Sequence, residues 1–298
     1  MQPPYREIFF TSRDGLRLYA RHYPVPGAWR RPVVCLPGLT RNSRDFHDIA
    51  LALATPDADG RNVYTLDYRG RGRSQYDSHW RNYSILIELH DVLDFMIIKG
   101  LNHAAVIGTS RGGILAMLMA VIRPASVGAV VLNDIGPVIE SDGLTRIAAY
   151  VGQVPLPADW VEATRLVRDI NHRQFPAVPD AQWAELAHQY FNDDNGLPSP
   201  AYDPALAKSL AQMHAIPQLW PQFLALAAVP TLVLRGEHSD ILSAATVEEM
   251  RRQHPRLEAL TVSGEGHAPL LKDHATIGSV AAFLAHTDME ARTTAAAA

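Results

Sequence analysis

The sequence predicts an α/β protein in which a mostly parallel, eight-stranded sheet is covered on both faces by helices. From residue 30 onward, short β-branched runs alternate with longer segments of helical periodicity. The runs are apolar at nearly every position, which is typical of parallel strands that are buried on both faces. One long segment rich in proline and aromatic residues, between positions 137 and 222, interrupts this alternation, and the pattern resumes after it.

The elements follow this pattern in chain order. Residues 5–11 and 16–23 alternate in polarity around Asp14-Gly15, which predicts an antiparallel hairpin at the sheet edge. Parallel strands are predicted at 32–36, 62–67, 103–107, 129–132, 231–234 and 257–262. Helices are predicted at 43–54, 84–99, 112–122, 244–253 and 274–285.

These elements predict a core domain built from residues 1–137 and 223–286. The intervening residues 138–222 contain no clear strand, so we expect a mainly helical insertion between two strands of one sheet. The last segment, 287–298, ends in four alanines and is expected to be a flexible tail.

The composition is that of an ordinary globular protein, with a formal net charge of −4. It contains no long basic run, so neither nucleic acid nor a membrane surface is expected as a partner. The single cysteine, Cys35, excludes an intrachain disulfide. The first residues do not resemble a secretory signal, and no apolar run approaches the ~18 residues that span a bilayer. We therefore expect a cytoplasmic protein.

A nucleophilic serine is predicted at Ser110. The sequence Gly-Thr-Ser-Arg-Gly at 108–112 lies where a predicted strand meets a predicted helix, which is the context that a G-x-S-x-G nucleophile requires. The sharp turn strains the backbone and exposes the hydroxyl, and side chains at Gly108 or Gly112 would collide with the neighbouring strand and helix. A phosphate-binding loop or a helix cap is the alternative interpretation of this pattern.

A base and an acid are predicted on loops after later strands. Serine is a weak nucleophile at neutral pH and needs an imidazole to accept its proton. His267 follows the last strand on a glycine-flanked loop, whereas its nearest rival, His274, begins a predicted helix. Asp240, in the loop after strand 231–234, is predicted to orient His267, because the ends of parallel strands share one rim of the sheet. Asp134, directly after strand 129–132, and Glu237 are the alternative acids.

Together these segments resemble the capped α/β-hydrolases. The resemblance is carried by Leu-Pro-Gly at 36–38, Asp-Tyr-Arg-Gly-Arg-Gly-Arg-Ser at 67–74, and the segments 108–113, 235–240 and 264–267. It spans about residues 5–286 and is weakest in the insertion, which corresponds to the family's cap over the active site. The resemblance implies the chain order serine, acid, histidine. Serine at 110 disfavours dehalogenase and epoxide-hydrolase chemistry, since those relatives use an aspartate there.

The same resemblance implies an oxyanion hole formed by two backbone amides. The loop after the first parallel strand supplies one N–H and the residue after the nucleophile supplies the other, which assigns Leu39 and Arg111. Pro37 departs from the family, since many relatives have histidine before this glycine. The arginines at 67–74 are interpreted as structural.

The predicted activity is hydrolysis of a carboxylic ester through an acyl-serine intermediate. C–C bond hydrolysis of a diketone-like substrate, by the same triad, and a ligand receptor on a hydrolase frame are the alternatives. No His-Glu-x-x-His, cysteine pair or Walker sequence is present, so no metal or other cofactor is expected. No cluster of basic residues marks an anion site, which favours a neutral or weakly polar small ester.

The insertion supplies large aromatic side chains, of which two or three are expected to face the ligand. The candidates are Trp160, Phe175, Trp183, Tyr190, Phe191, Tyr202 and Trp220.

Overall fold

The computed structural model describes residues 4–55, 60–211 and 218–297, and within them the chain forms ten β-strands. The strands are β1 (Arg6–Thr11), β2 (Arg17–Tyr23), β3 (Val33–Leu36), β4 (Val63–Asp67), β5 (Ala104–Thr109), β6 (Val127–Asn133), β7 (Phe191–Asp194), β8 (Leu197–Pro200), β9 (Thr231–Gly236) and β10 (Leu257–Val262). Eight of them form one sheet in the order β1-β2-β4-β3-β5-β6-β9-β10. β2 is antiparallel to β1 and β4, and the other neighbours are parallel. The predicted eight-stranded, mostly parallel sheet is confirmed.

The same ranges contain ten α-helices, and several of them cover the two faces of the sheet. The helices are α1 (His47–Leu53), α2 (Ile85–Ile98), α3 (Arg111–Ile122), α4 (Ser141–Tyr150), α5 (Trp160–Asn171), α6 (Asp180–Tyr190), α7 (Leu206–Ala211), α8 (Trp220–Leu224), α9 (Ala244–Gln253) and α10 (His274–Ala297). Buried residues of α2, α3, α8 and α9 pack on one face, and those of α1 and α10 pack on the other. None of the helices in the described ranges combines the length and apolar composition needed to cross a membrane.

Strand β5 shows why the parallel strands are apolar at every position. Ala104 and Val106 belong to the core on one face, whereas Ala105 and Ile107 belong to the core on the other. Successive side chains of a strand point to opposite faces, so a strand covered on both sides must be apolar throughout. Because β5 and its neighbours β3 and β6 are parallel, their carboxyl ends lie at one edge of the sheet, and this rim carries the candidate site.

Residues 138–222, hereafter the insert, lie between β6 and β9 in the chain. The described part of the insert contains α4 to α7, the hairpin β7–β8 and the first residues of α8. Helices α5 and α6 pack around a small apolar core of their own. Its buried members are Ala163, Val167, Phe175, Trp183, Leu186, Ala187 and Phe191.

The hairpin β7–β8 corrects the expectation that the insert contains no strand. Its two strands have four residues each and are joined by Asn195 and Gly196, which have φ of +54° and +87°. An Asn-Gly pair favours this left-handed turn, so the turn had a recognisable sequence signal. The strands did not, because they contain Pro198, Pro200 and adjacent acidic residues, all of which are depleted in strands.

The end of the chain corrects the expectation of a flexible tail at 287–298. Helix α10 continues from His274 to Ala297, well past the predicted end at residue 285. Thr287 and Asp288 are buried, and the Asp288 carboxylate lies 3.0 Å from the guanidinium of Arg61 and 3.7 Å from that of Arg31. These ion pairs fix the helix beyond the point where its apolar periodicity ends. Residue 298 lies outside the described residues.

Candidate active site

Ser110 lies at the tight turn between β5 and α3. Its φ of +51° and ψ of −112° form a strained conformation for a residue other than glycine. A Cβ at Gly108 would lie 2.5 Å from the backbone of Gly112, and a Cβ at Gly112 would lie 2.0 Å from the carbonyl oxygen of Leu36 on β3. The strand–turn–helix geometry and the collisions predicted for these glycines are therefore present.

His267 faces the Ser110 hydroxyl from the loop between β10 and α10. Its Nε2 lies 3.0 Å from Oγ of Ser110, and its side chain is only 8% exposed. This distance permits the hydroxyl to donate a hydrogen bond to the imidazole, as a general base requires. The rival His274 begins α10 and is exposed.

The carboxylate that hydrogen-bonds His267 is that of Asp134, so the prediction of Asp240 in this place is wrong. His267 Nδ1 donates to Asp134 Oδ2 over 2.8 Å. Asp134 directly follows β6, and β6 lies beside the nucleophile strand β5 in the sheet. The alternative named from the sequence is therefore the one that the fold brings to the histidine.

Asp134 is fully buried, and its carboxylate has two further donors. Gly236 N–H donates to Oδ1 over 2.8 Å, and the Ser239 hydroxyl donates to Oδ2 over 2.6 Å. These bonds, together with that from His267, offset the cost of removing a carboxylate from water. They also fix its direction, because one donor is the last residue of β9 and the other lies on the loop that follows it.

Asp240 lies on the same loop but is turned towards the insert. Arg146 on α4 donates to it from Nε over 2.6 Å and from Nη2 over 2.9 Å, and Gln174 Nε2 donates over 3.2 Å. Burial opposes ionisation, but the hydrogen bond and charge of Arg146 outweigh it and lower the pKa of Asp240. Glu237, the other alternative acid, is exposed and accepts a hydrogen bond from Ser263.

The two predicted oxyanion donors lie next to the nucleophile. Leu39 lines the same cavity as Ser110. Arg111 is the first residue of α3, where backbone N–H groups have no acceptor within the helix. Its side chain points away and donates from Nε to Glu88 over 2.6 Å. This arrangement is compatible with donation through the amides, and the role of both residues stays a prediction.

The buried carboxylate of Glu88 is connected to the residues of both predicted donors, to Arg111 directly and to Leu39 through Arg71. It accepts hydrogen bonds of 2.6 Å from Arg71 and from Arg111, and its side chain has no exposed surface. Burial opposes its ionisation, but the two guanidinium groups outweigh that cost and lower the pKa of Glu88. Arg71 also donates from Nε to the carbonyl oxygen of Leu39 over 2.8 Å. The arginine at 71 thus has a structural contact, as the sequence suggested.

A cavity of about 100 Å³ opens above Ser110 and His267, between the rim of the sheet and the insert. Arg41 lines it, stacks over the ring of Tyr190 and pairs with Asp45, which also lines it. A second cavity, of about 80 Å³, lies within the insert. Both cavities are lined by Thr40, Tyr150 and Tyr190.

Few of the candidate aromatic residues face the first cavity. Phe175 and Tyr190 do, whereas Trp183 and Phe191 contribute to the core of the insert and Trp220 packs on the main core. Phe191 and Tyr202 line the second cavity. Tyr150, at the end of α4, lines both cavities but was not among the aromatic residues that the sequence suggested.

Gln174 is the other residue that the sequence did not identify. It lies between α5 and α6, in a segment with no motif, and its contact with the histidine loop depends wholly on the packing of the insert. Over the described ranges, no group of three or more histidine, cysteine, aspartate or glutamate side chains could hold a metal ion.

Comparisons with known proteins agree with this fold. The sequence model described as "Alpha/beta hydrolase family" matches residues 33–278. A 3-hydroxybutyrate-oligomer hydrolase from Cupriavidus necator is 32% identical over 282 residues, which cover 91% of this chain and 94% of that protein. A 2-(acetamidomethylene)succinate hydrolase from Mesorhizobium japonicum is 27% identical over 231 residues, covering 77% and 79%.

Solved structures give the same result at the level of the fold. An alpha/beta hydrolase from Novosphingobium aromaticivorans superposes with a TM-score of 0.88 at 38% sequence identity. The superposition covers 95% of this chain and 99% of that structure, and therefore includes the insert.

Proposed function

Because the chain belongs to the alpha/beta hydrolase family, we propose that it is a serine hydrolase that cleaves carboxylic esters through an acyl-serine intermediate. The observation that carries this proposal is the hydrogen-bonded series from Ser110 Oγ through His267 to Asp134, with distances of 3.0 and 2.8 Å. Nucleophile, base and orienting acid are the three parts that this chemistry requires.

In this mechanism, Ser110 Oγ attacks the ester carbonyl carbon while its proton passes to Nε2 of His267. Asp134 holds the imidazole in the tautomer that leaves Nε2 free to accept, and stabilises the imidazolium. The developing oxyanion is met by the amides of Leu39 and Arg111. Return of the proton from His267 expels the alcohol. Water, activated by the same histidine, then attacks the acyl-serine and releases the acid.

The proposed substrates are small, neutral or weakly polar esters, and the insert is the proposed cap. The cavity at Ser110 offers polar groups from Thr40, Asn171 and Gln189, while no charged residue lines the second cavity within the described ranges. A cavity with polar groups beside an uncharged cavity suits a substrate whose polar ester group carries an apolar chain, the apolar arm. The relative from Cupriavidus necator is named for 3-hydroxybutyrate oligomers, in which ester groups alternate with methyl-bearing carbons, so short oligomers of this kind are included.

Turnover of p-nitrophenyl esters and of a linear 3-hydroxybutyrate trimer, by the wild type and Ser110→Ala, tests the proposal. We expect hydrolysis by the wild type, and a loss of around 10⁶-fold in kcat in the variant. Unchanged turnover in Ser110→Ala would contradict it. Cleavage of a vinylogous diketone but not of esters would favour the C–C hydrolase instead. A single covalent event with a fluorophosphonate, without turnover of any of these substrates, would favour the receptor.

A further inference from the structure

Gln174 of the insert contacts both loops that position the proposed triad. Its Oε1 accepts a hydrogen bond of 3.0 Å from the backbone N–H of His267. Its Nε2 donates over 3.2 Å to the carboxylate of Asp240, on the loop that follows β9. One side chain from outside the sheet therefore bridges the histidine loop and the loop whose Ser239 binds Asp134.

The neighbouring backbone is shaped around this contact. A Cβ at Gly266 would lie 2.0 Å from Oε1 of Gln174, so the glutamine occupies the space that a side chain would fill. The need for glycine at position 266 therefore follows from this steric contact and is independent of the hydrogen bonds. Any larger residue there would push Gln174 away from the His267 amide.

The other end of the bridge is fixed by a second helix of the insert. Arg146 on α4 binds Asp240 through two nearly parallel hydrogen bonds, a geometry that restricts the carboxylate in both distance and direction. The start of α4 also contacts this loop directly, since Gly143 N–H donates to the carbonyl oxygen of Asp240 over 3.1 Å. The acceptor of Gln174 Nε2 is thus held by groups that do not depend on Gln174.

We infer that Gln174 is a positioning residue, which uses Asp240 as its anchor to hold the His267 backbone at the distance that proton transfer from Ser110 needs. The inference rests on the proposed function. Asp240 then anchors the bridge beside the site and is not the acid. It also makes the insert part of the catalytic geometry as well as a wall of the cavity.

Gln174→Ala and Gln174→Met test this assignment. Methionine keeps most of the side-chain volume but can make neither hydrogen bond, so agreement between the variants separates the loss of the bonds from the loss of packing. Loss of one such bond is worth ~1 kcal/mol, and we expect kcat to fall about five- to tenfold. KM should change by less than about twofold, because Gln174 does not line either cavity. Gln153→Ala, an exposed glutamine of the same insert, is the matched control and should leave kcat unchanged.

Amide hydrogen exchange provides a readout that needs no substrate. The His267 amide is the donor to Gln174, so the peptide that contains residues 266–271 should exchange faster in both Gln174 variants and at the wild-type rate in Gln153→Ala. Unchanged exchange, or a wild-type kcat in both Gln174 variants of an active enzyme, would overturn the inference. If the wild type turns over no ester, the proposed function fails, and faster exchange would still establish the bridge.

Discussion

At the residue scale, the site depends on two aspartates that look alike in the sequence and differ in the fold. Both follow a strand of the sheet and both lie near its active rim. Asp134 is fully buried and accepts from His267, whereas Asp240 is partly exposed and accepts from Arg146 and Gln174. The first therefore contacts the imidazole directly, whereas the second contacts the histidine loop through Gln174.

This difference predicts unequal effects of the same substitution. Asp134→Asn should lower kcat for ester hydrolysis by about 10⁴-fold, because an amide in this place favours the wrong imidazole tautomer. Asp240→Asn should lower it by no more than about tenfold, since it weakens the contacts with Arg146 and Gln174 but leaves the bond between His267 and Asp134 in place. Steady-state kinetics of the two purified variants provides the comparison. A larger loss in Asp240→Asn would restore Asp240 as the acid.

The choice between these aspartates could not be made from the sequence. The strand ends were predictable, because a doubly buried strand leaves a continuous apolar run. The orientation of each side chain was not, because it is set by donors that are distant in the chain. Arg146 and Gln174, which turn Asp240 away from His267, both belong to the insert, the part of the sequence with the weakest pattern.

The partly buried carboxyl group of Glu265, two residues before His267, should make the stability of the protein depend on pH. Burial raises its pKa to about 7, although the hydrogen bond from Leu270 N–H opposes the rise. Between roughly pH 4.5 and 7 the folded protein keeps a proton that the unfolded chain has lost. The free energy of unfolding therefore falls as pH rises through this window, by up to about 3 kcal/mol from this group.

Glu265→Gln removes that titration and keeps an oxygen that can accept from Leu270. Urea unfolding of the wild type and the variant at pH 5 and pH 8 isolates the effect, since the other titrating groups cancel in the difference. The variant should gain stability relative to the wild type between pH 5 and pH 8. An equal difference at both pH values would refute the raised pKa.

At the scale of elements, the buried Glu88 on α2 connects the helix that begins after Ser110 with the loop that contains Leu39. Arg111 belongs to the first, and Arg71 holds the second through the Leu39 carbonyl. The two cations are buried or nearly so, and Glu88 is the carboxylate between them. The relative position of the two proposed oxyanion donors therefore depends on one negative charge.

Glu88→Gln should accordingly be strongly destabilising. Removing one partner from a buried ion pair typically costs about 3–5 kcal/mol, because the remaining charge is left uncompensated. Glu185→Gln is the control, since Glu185 pairs with Lys272 at an exposed position and such pairs contribute little. Urea unfolding of both variants measures the difference. Similar unfolding free energies would show that Arg71 and Arg111 find other partners.

The elements that the sequence predicted well are those defined by local pattern. The nucleophile turn required glycine at 108 and 112, and the structure shows the backbone contacts that exclude a Cβ there. The elements it missed are fixed by distant contacts. Helix α10 extends past its apolar pattern because Asp288 forms an ion pair with Arg61. Strand β8 contains two prolines, which are unusual in strands, so the sequence did not predict it. Contacts between distant residues produce no periodic pattern in the sequence.

At the scale of the whole molecule, the cavity at Ser110 is shared between the core and the insert. Leu39 and His267 belong to loops of the sheet, whereas Tyr150 and Tyr190 belong to the insert. The insert alone supplies nearly all of the lining of the second cavity, including Ile170 and Leu166 on α5. Substrate preference should thus depend on the insert, and the chemical step on the core.

Ile170→Phe tests this division by narrowing the second cavity. The ratio of kcat/KM for p-nitrophenyl hexanoate to that for the acetate should fall by about tenfold, since a misfit of one or two methylenes in an apolar pocket is worth ~1–3 kcal/mol. Val161→Phe, the same kind of enlargement at a position that is 80% exposed on the same helix, should leave this ratio unchanged. Equal effects of the two variants would exclude the cavity as the site of the apolar arm.

The most direct test of the proposed activity is to find where the acyl group is attached during turnover. After rapid acid quenching of the wild type with p-nitrophenyl butyrate, mass spectrometry of peptides should find the butyryl group on Ser110. Ser110→Ala should carry no acyl group and release no p-nitrophenol above background. An acyl group on another residue, or full turnover in the alanine variant, would contradict the account.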